Sequence, residues 1–199
     1  MTFRTFQRLT RVSAAALFAS VALSASATAQ SAQKYAVQFA VLSTSIDGTS
    51  GNSIGGVGVE PQIRYNLAYA KESLGGLTLG LGGQLTSHSS GGDNLKISGL
   101  FLEPRWVPNT GSSRFFPYIS GRLALLRQSS NFGSASGGTG IGAGGGFAIK
   151  LAPTINLDAG LALVRQQFGA FVFTDNTAGE FNPFTTYAAK IGITVGFPR

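Results

Sequence analysis

The chain has 199 residues, the size of one domain, with 15 Lys+Arg against 8 Asp+Glu and a formal net charge of +7. It contains no cysteine, which excludes a disulfide framework, a lipid-bearing cysteine and thiol chemistry. Charged residues make up only 12%, about half the share of an ordinary soluble domain, while glycine occupies 28 positions.

The N-terminus carries Arg4, Arg8 and Arg11 with no acidic residue, then an apolar and small run from Val12 to Leu23, then Ala27-Thr28-Ala29. A membrane-spanning helix needs about 20 apolar residues. The shorter run, its basic flank and the small-x-small triplet read instead as a secretory signal over 1–29, cut before Gln30. Three arginines leave with it, lowering the formal charge to +4 over 30–199. No Lys/Arg cluster remains there, which argues against nucleic acid as a partner.

From residue 30 onward the chain reads as strands separated by turns, at about 34–45, 55–68, 77–86, 95–107, 114–128, 139–151, 155–166 and 184–197. In the second, Val57, Val59, Pro61, Ile63, Tyr65 and Leu67 alternate with Gly58, Glu60, Gln62, Arg64 and Asn66. The third sets Leu77, Leu79 and Leu81 against Thr78, Gly80 and Gly82, and the seventh sets Leu157, Ala159, Leu161 and Leu163 against Asn156, Asp158, Gly160 and Ala162. The last is the most regular: Tyr187, Ala189, Ile191, Ile193, Val195 and Phe197 alternate with Ala188, Lys190, Gly192, Thr194 and Gly196. A period of two is the signature of a strand with two unlike faces. Eight such strands predict an all-β, eight-stranded antiparallel up-and-down barrel, closed by pairing the last strand with the first.

Connections alternate in length. Ile46–Ile54, Ser87–Asn94, Ser129–Gly138 and Gln167–Pro183 are long and mostly rich in Ser, Gly, Asn and Asp, while Asn109–Ser113 and Ala152–Thr154 are short. Long loops at one end and short turns at the other suit a barrel in the bacterial outer membrane, its long loops outside and both termini in the periplasm.

Alternation alone leaves the inward face undecided, because a secreted soluble barrel with an apolar ligand inside alternates too. The polar face decides it. It is dominated by Gly, Ala, Ser and Thr rather than by the Lys and Glu of a water-facing surface, and small residues suit a crowded narrow lumen. The isolated charges Glu60, Arg64, Glu103, Arg105, Arg122, Lys150, Asp158 and Lys190 then fall inside as a network. Lys190 is expected to meet Asp158 or Glu60. Aromatic residues form two groups placed as interfacial girdles: Tyr65, Tyr69, Trp106, Phe115 and Tyr118 near the short turns, and Phe168, Phe171, Phe173, Phe181 and Phe184 near the last long connection.

Glu60-Pro61-Gln62-Ile63-Arg64 and Glu103-Pro104-Arg105 are similar segments with a proline on the apolar face. Proline removes a ladder donor, so each is expected to mark a bulge. Together with Phe116-Pro117-Tyr118-Ile119-Ser120-Gly121 and the final Ile191-Gly-Ile-Thr-Val-Gly-Phe197, these segments resemble the bacterial outer-membrane β-barrel domain family, the small OmpA-like and OmpX-like porin-family barrels, over essentially all of 30–199. The resemblance implies a monomeric barrel, surrounded by outer-membrane lipids and inserted by the barrel-assembly machinery. It also implies a chain ending on its aromatic, whereas Pro198-Arg199 follow Phe197 here.

Function is less legible. Eight strands leave an interior just wide enough for side chains, which favours a packed plug over a small-solute, weakly anion-selective channel. His88, the sole histidine, lies in the second long connection beside Asp93 and several serines, and reads as a solvated loop residue rather than a catalytic base. Gly140-Ile-Gly-Ala-Gly-Gly145 spells a nucleotide-binding pattern, but its glycines alternate with apolar residues and no helix follows. One His and no Cys give no metal site. No cofactor and no catalysis are expected. Phe168–Thr174, in the last long connection, is either a strand extension that pairs with a partner or, as favoured here, an anchor in the outer headgroup layer. The expected role is structural or adhesin-like surface interaction through the long loops.

Overall fold

A computed structural model describes residues 33–47, 53–67, 75–90, 92–180 and 182–198. The expected signal at 1–29, and Tyr69 and Phe181 of the expected girdles, lie outside the described residues. The elements are β1 (Gln33–Asp47), β2 (Ser53–Leu67), β3 (Gly76–Ser90), β4 (Asp93–Val107), β5 (Phe115–Ser130), β6 (Gly133–Ala152), β7 (Ile155–Gln167), β8 (Phe171–Phe173), β9 (Ala178–Gly179) and β10 (Phe184–Pro198). Eight long strands form the ring β1-β2-β3-β4-β5-β6-β7-β10, and β10 returns to β1. Every neighbouring pair is antiparallel, and the closing seam runs from Tyr35↔Phe197 to Ile46↔Thr186. Closure satisfies backbone donors and acceptors around the whole wall, the condition for crossing lipid with strands.

Burial alternates along the strands in the sense opposite to a soluble barrel. On β1, Val37, Phe39 and Val41 are exposed while Ala36, Gln38 and Ala40 are buried. On β2, Ile63 is 61% exposed and Arg64 only 4%. Apolar out and polar in excludes the soluble ligand-carrying barrel, because so continuous an apolar outer surface needs hydrocarbon around it. The exposed band runs through Tyr35–Val41, Val57–Ile63, Leu77–Leu85, Leu100–Trp106, Ile119–Leu125, Ile141–Leu151, Leu161–Leu163 and Tyr187–Phe197. A closed barrel with such a band is an outer-membrane architecture.

The strands outrun the band. A 15-residue strand is about 50 Å long, or about 38 Å in height when tilted near 40°, against an apolar band of about 25 Å. Much of the excess rises above the outer edge of the band, where the outward positions become Ser43, Ser45, Ser87, Ser89 and Ser129. This corrects two of the expected long loops. Ser87–Asn94 and Ser129–Gly138 are mostly strand, with turn residues at Gly92 and at 131–132. Their Ser and Gly composition resembles loops, yet ladder pairing such as Ser87↔Lys96 and Ser129↔Ser134 satisfies their backbones. Gly92, at φ 97°, supplies the left-handed residue of the first tip.

The prolines bend the expectation in another way. Neither makes a bulge. Pro61 pairs with Phe39, Pro104 pairs with Leu79, and the register is unshifted on both sides of each. Pairs are simply missing towards the following strand, between Val59↔Leu85 and Gln62↔Gly82 and between Leu102↔Leu123 and Arg105↔Ser120. A missing N–H costs a ladder bond but does not require an extra residue. The irregularities lie instead at Gln33/Tyr35, Leu126/Gln128 and Lys150/Ala152.

Candidate functional site: the packed interior and the outer rim

Inward positions fill the barrel in three tiers. At the periplasmic end Val107, Phe116, Tyr118 and Ala148 form a small apolar cluster. Tyr118 is 4% exposed, so it belongs to this inner plug and not to a girdle. Its parity says so: Phe116, Tyr118, Ser120 and Arg122 share one face of β5, and Ile119 and Leu123 the other. Girdle aromatics at this end are Tyr35 and Tyr65, 5.3 Å apart with Lys34 Nζ 5.7 Å from both ring centroids, and Phe115 and Phe147 at 5.3 Å.

The middle tier is ionic. Glu103 on β4 is its hub. Its carboxylate accepts from Arg64 at 3.1 Å, Arg105 at 3.0 Å and Lys190 at 2.9 Å, and Arg122 lies at 3.9 Å. Asp158 accepts from Arg105 Nη1 at 2.6 Å and from the Tyr118 hydroxyl at 2.9 Å. Glu60 pairs with Arg122, whose Nη2 also reaches Gln84 Oε1 at 2.9 Å. Two guanidinium groups stack on rings, Arg105 over Tyr118 at 3.6 Å and Arg122 over Phe101 at 3.8 Å. Gln62 donates to Gln38 at 2.6 Å, and Arg64 Nη2 to Thr78 at 2.7 Å. These groups come from β1, β2, β3, β4, β5, β7 and β10, so the network ties walls that the ladder does not join directly.

Seven of the eight expected lumen charges are therefore buried and paired. Lys150 is not among them. It is half-buried, lines a cavity of about 60 Å³ at the periplasmic mouth with Asn66 and Asn156, and forms no ion pair among the described residues. Lys190 meets Glu103 and neither Asp158 nor Glu60, because those two carboxylates are taken by Arg105 and Arg122. The sequence places Gln62 and Thr78 on the polar face without giving them partners and leaves Gln38 and Gln84 unremarked, though strand parity puts each inside.

The upper tier combines an apolar cluster with buried polar side chains, among them Gln166, whose Nε2 donates to Thr186 Oγ1 at 3.0 Å. Ile46, Ile97, Phe101, Ala124, Leu126, Ala135, Phe168 and Phe171 form one buried cluster. Phe168 and Phe171 turn inwards over the outer mouth, at 6% and 2% exposure, so neither is an interfacial anchor. Phe168 stacks on Phe184 with centroids 5.8 Å apart. His88 also lies here, 1% exposed on β3, with Nε2 2.9 Å from Thr44 Oγ1. Its expected place in a solvated loop is wrong for the same reason as the loop itself: Ser87-His88-Ser89 continues the strand, and the even position faces in.

Above the band the wall is rebuilt locally. Where β7 stops, β8 takes its place beside β6 through Gly133↔Phe173 and Ala135↔Phe171, and β9 pairs with β8. Thr174 N donates to Phe132 O at 2.9 Å, fastening this flap to the β5–β6 hairpin tip. Asp175 Oδ1 accepts from Thr177 N at 2.9 Å and Thr177 Oγ1 at 2.6 Å, which holds its carboxyl below the usual carboxylate range. Phe132 (52%), Val172 (46%) and Phe173 (40%) remain exposed, Val172 on one face of β8 and Phe173 on the other, 4.9 Å from the Phe171 ring. A second cavity, of about 540 Å³, opens among Ile46, Ile54, Asp47, Glu180 and Phe184. No cluster of three His, Cys, Asp or Glu side chains suited to a metal occurs among the described residues.

No family model and no curated protein matches the chain. Solved structures do match. Neisserial surface protein A (NspA) is 19% identical with a TM-score of 0.65, over 84% of this chain and 100% of that one. Ail, the attachment invasion locus protein of Yersinia pestis, is 10% identical with a TM-score of 0.50, over 83% and 99%. At these identities the likeness is one of fold.

Proposed function

On the premise that the chain is an eight-stranded outer-membrane β-barrel, we propose that it acts as a non-conducting, non-catalytic platform for surface interaction. The observation that carries this reading is the rim. Its strands continue above the lipid band, and the β5–β6 tip with the β8–β9 flap leaves Phe132, Val172 and Phe173 exposed on hydrogen-bonded backbone rather than on a free loop. Exposed aromatic and aliphatic side chains on a rigid base suit a partner with an apolar surface, since little conformational entropy is lost on contact. The three-tier filling of the lumen speaks against the solute-channel alternative, and the burial of His88 against its use as a general base.

The test is a display experiment. Cells carrying the intact barrel should bind to a panel of surface and matrix proteins above cells lacking it. Cells carrying Phe132→Ser, Val172→Ser and Phe173→Ser together should lose that binding while the barrel stays folded and displayed. If the intact barrel adds no binding, or if the triple variant binds equally well, the reading falls.

A further inference from the structure

The charges facing the lumen do not cancel. Arg64, Arg105, Arg122, Lys150 and Lys190 are five cations against the three carboxylates Glu60, Glu103 and Asp158, an excess of two. Each carboxylate is engaged by cations of the ionic tier, and none lies within ion-pair distance of Lys150. Positive charge held inside a barrel without a carboxylate to face it calls for an anion or for water.

The surplus gathers at the periplasmic mouth. Lys150 on β6 stands opposite Asn156 on β7, and Asn156 opposite Thr194 on β10, so the three side chains form a row across adjacent strands at one level. Arg64 on β2 and Arg105 on β4 line the same cavity of about 60 Å³. Pro153 of the β6–β7 turn borders it at the periplasmic end, and Tyr118 and Asp158, bonded to each other, border it towards the ionic tier. The space is thus a vestibule that the ionic tier closes from above. Two buried groups of its wall keep unused hydrogen-bonding capacity: Thr194, 9% exposed, at Oγ1 and Arg105, 5% exposed, at Nε have no partner among the described residues. A buried polar atom without a partner is uncommon, and two on the wall of one cationic cavity point to a ligand.

We propose that this vestibule binds one small tetrahedral oxyanion of the phosphate class, held between Lys150 and Thr194 on one wall and Arg64 and Arg105 on the other. Charge, size and shape each select this occupant. A doubly charged oxyanion balances the excess of two. Roughly 15 Å³ of such space is needed per water, so the cavity suits a group of about four or five non-hydrogen atoms. The ammonium of Lys150, the hydroxyl of Thr194, the amide of Asn156 and the guanidinium groups all offer donors, and they do so from different strands around the mouth. A tetrahedral anion accepts from all these directions, whereas a carboxylate presents two oxygens in a single plane. The phosphate is either the free ion or the terminal group of a larger periplasmic solute whose remainder extends out of the mouth.

The test is equilibrium dialysis of the purified, folded barrel in maltoside micelles, which carry no phosphate, against radiolabelled inorganic phosphate in chloride buffer of fixed ionic strength. The intact barrel should take up about one phosphate, displaced by sulfate and not by the same concentration of acetate. Displacement by glycerol phosphate would identify a phosphorylated solute as the source, and its failure to displace would identify the free ion. Lys150→Met and, separately, Thr194→Val should each weaken binding about tenfold, the loss of one hydrogen bond to a charged group. Thr194→Ser keeps the hydroxyl and should keep the binding. Arg127→Gln on the outer rim removes the same charge as Lys150→Met and should leave binding unchanged. The gel shift between unheated and boiled samples shows which variants are folded, and Thr194→Val, close in shape to the parent, gives an independent result should Lys150→Met misfold. No saturable uptake by the intact barrel, equal displacement by acetate, or undiminished binding by either folded variant would each overturn the proposal.

Discussion

Lys190 on the closing strand donates to Glu103 on β4 at 2.9 Å, across the full width of the barrel and 87 positions apart in sequence. β10 and β4 stand four places apart in a ring of eight, so the pair is a crossbar. Glu103 holds Arg64 and Arg105 as well. Removing its charge leaves Arg64, Arg105, Arg122 and Lys190 facing only Glu60 and Asp158. Glu103→Gln should therefore destabilise the barrel by about 3–5 kcal/mol, the usual result of breaking a buried ion pair. Urea titration read by the gel shift between unheated and boiled samples measures this. Adding Lys190→Met to Glu103→Gln should restore part of the loss, because one unpaired cation leaves with it.

His88 gives the second prediction. Its imidazole is enclosed and hydrogen-bonded to Thr44, so His88→Ala should lower stability by about 1–3 kcal/mol, through a lost hydrogen bond and a cavity. A thermal melt in detergent tests it. An unchanged melt would place the residue in solvent after all.

Close packing in the lumen makes glycine positions unequal. A Cβ on Gly160 would lie 2.5 Å from the Tyr118 hydroxyl and 2.9 Å from Gly145 O, whereas one on Gly83 would meet nothing nearer than 3.7 Å. Gly160→Ala should push Tyr118 off Asp158 and reduce the folded yield in vesicles. Gly83→Ala, on the outer face, should fold like the parent. Folding yields of the two variants, measured side by side, decide the matter.

The fold was almost wholly legible because period-two alternation survives in every long strand, from Val57–Leu67 to Tyr187–Phe197. Where it failed, composition overrode parity. Ser87-His88-Ser89 looks like a loop, and the Ser-Gly run before Thr139 does too, yet both carry strand pairing that only the barrel supplies. The ionic tier was legible residue by residue but not partner by partner. Parity fixes which side a charge faces, and only the stagger of strands around the ring decides that Lys190 reaches Glu103. The apolar upper tier was hidden because Phe168 and Phe171 sit in a connection whose path depends on β8 pairing with β6.

Trp106, the sole tryptophan, reports on insertion. It is 43% exposed on the outer face near the short turns, next to the periplasmic edge of the band. Folding into vesicles should shift its emission to shorter wavelength. Lipids brominated near the headgroup should quench it more strongly than lipids brominated at the chain ends. Stronger quenching from the bilayer centre would contradict the register of β4 against the membrane.

The central claim is a membrane barrel sealed along its length by the inner cluster at Tyr118, the ionic tier around Glu103 and the apolar cluster at Phe101 and Phe168. Planar-bilayer recording of the purified, folded protein tests it most directly. The account predicts no steady unitary conductance above the bare bilayer, and steady, anion-selective steps would contradict it.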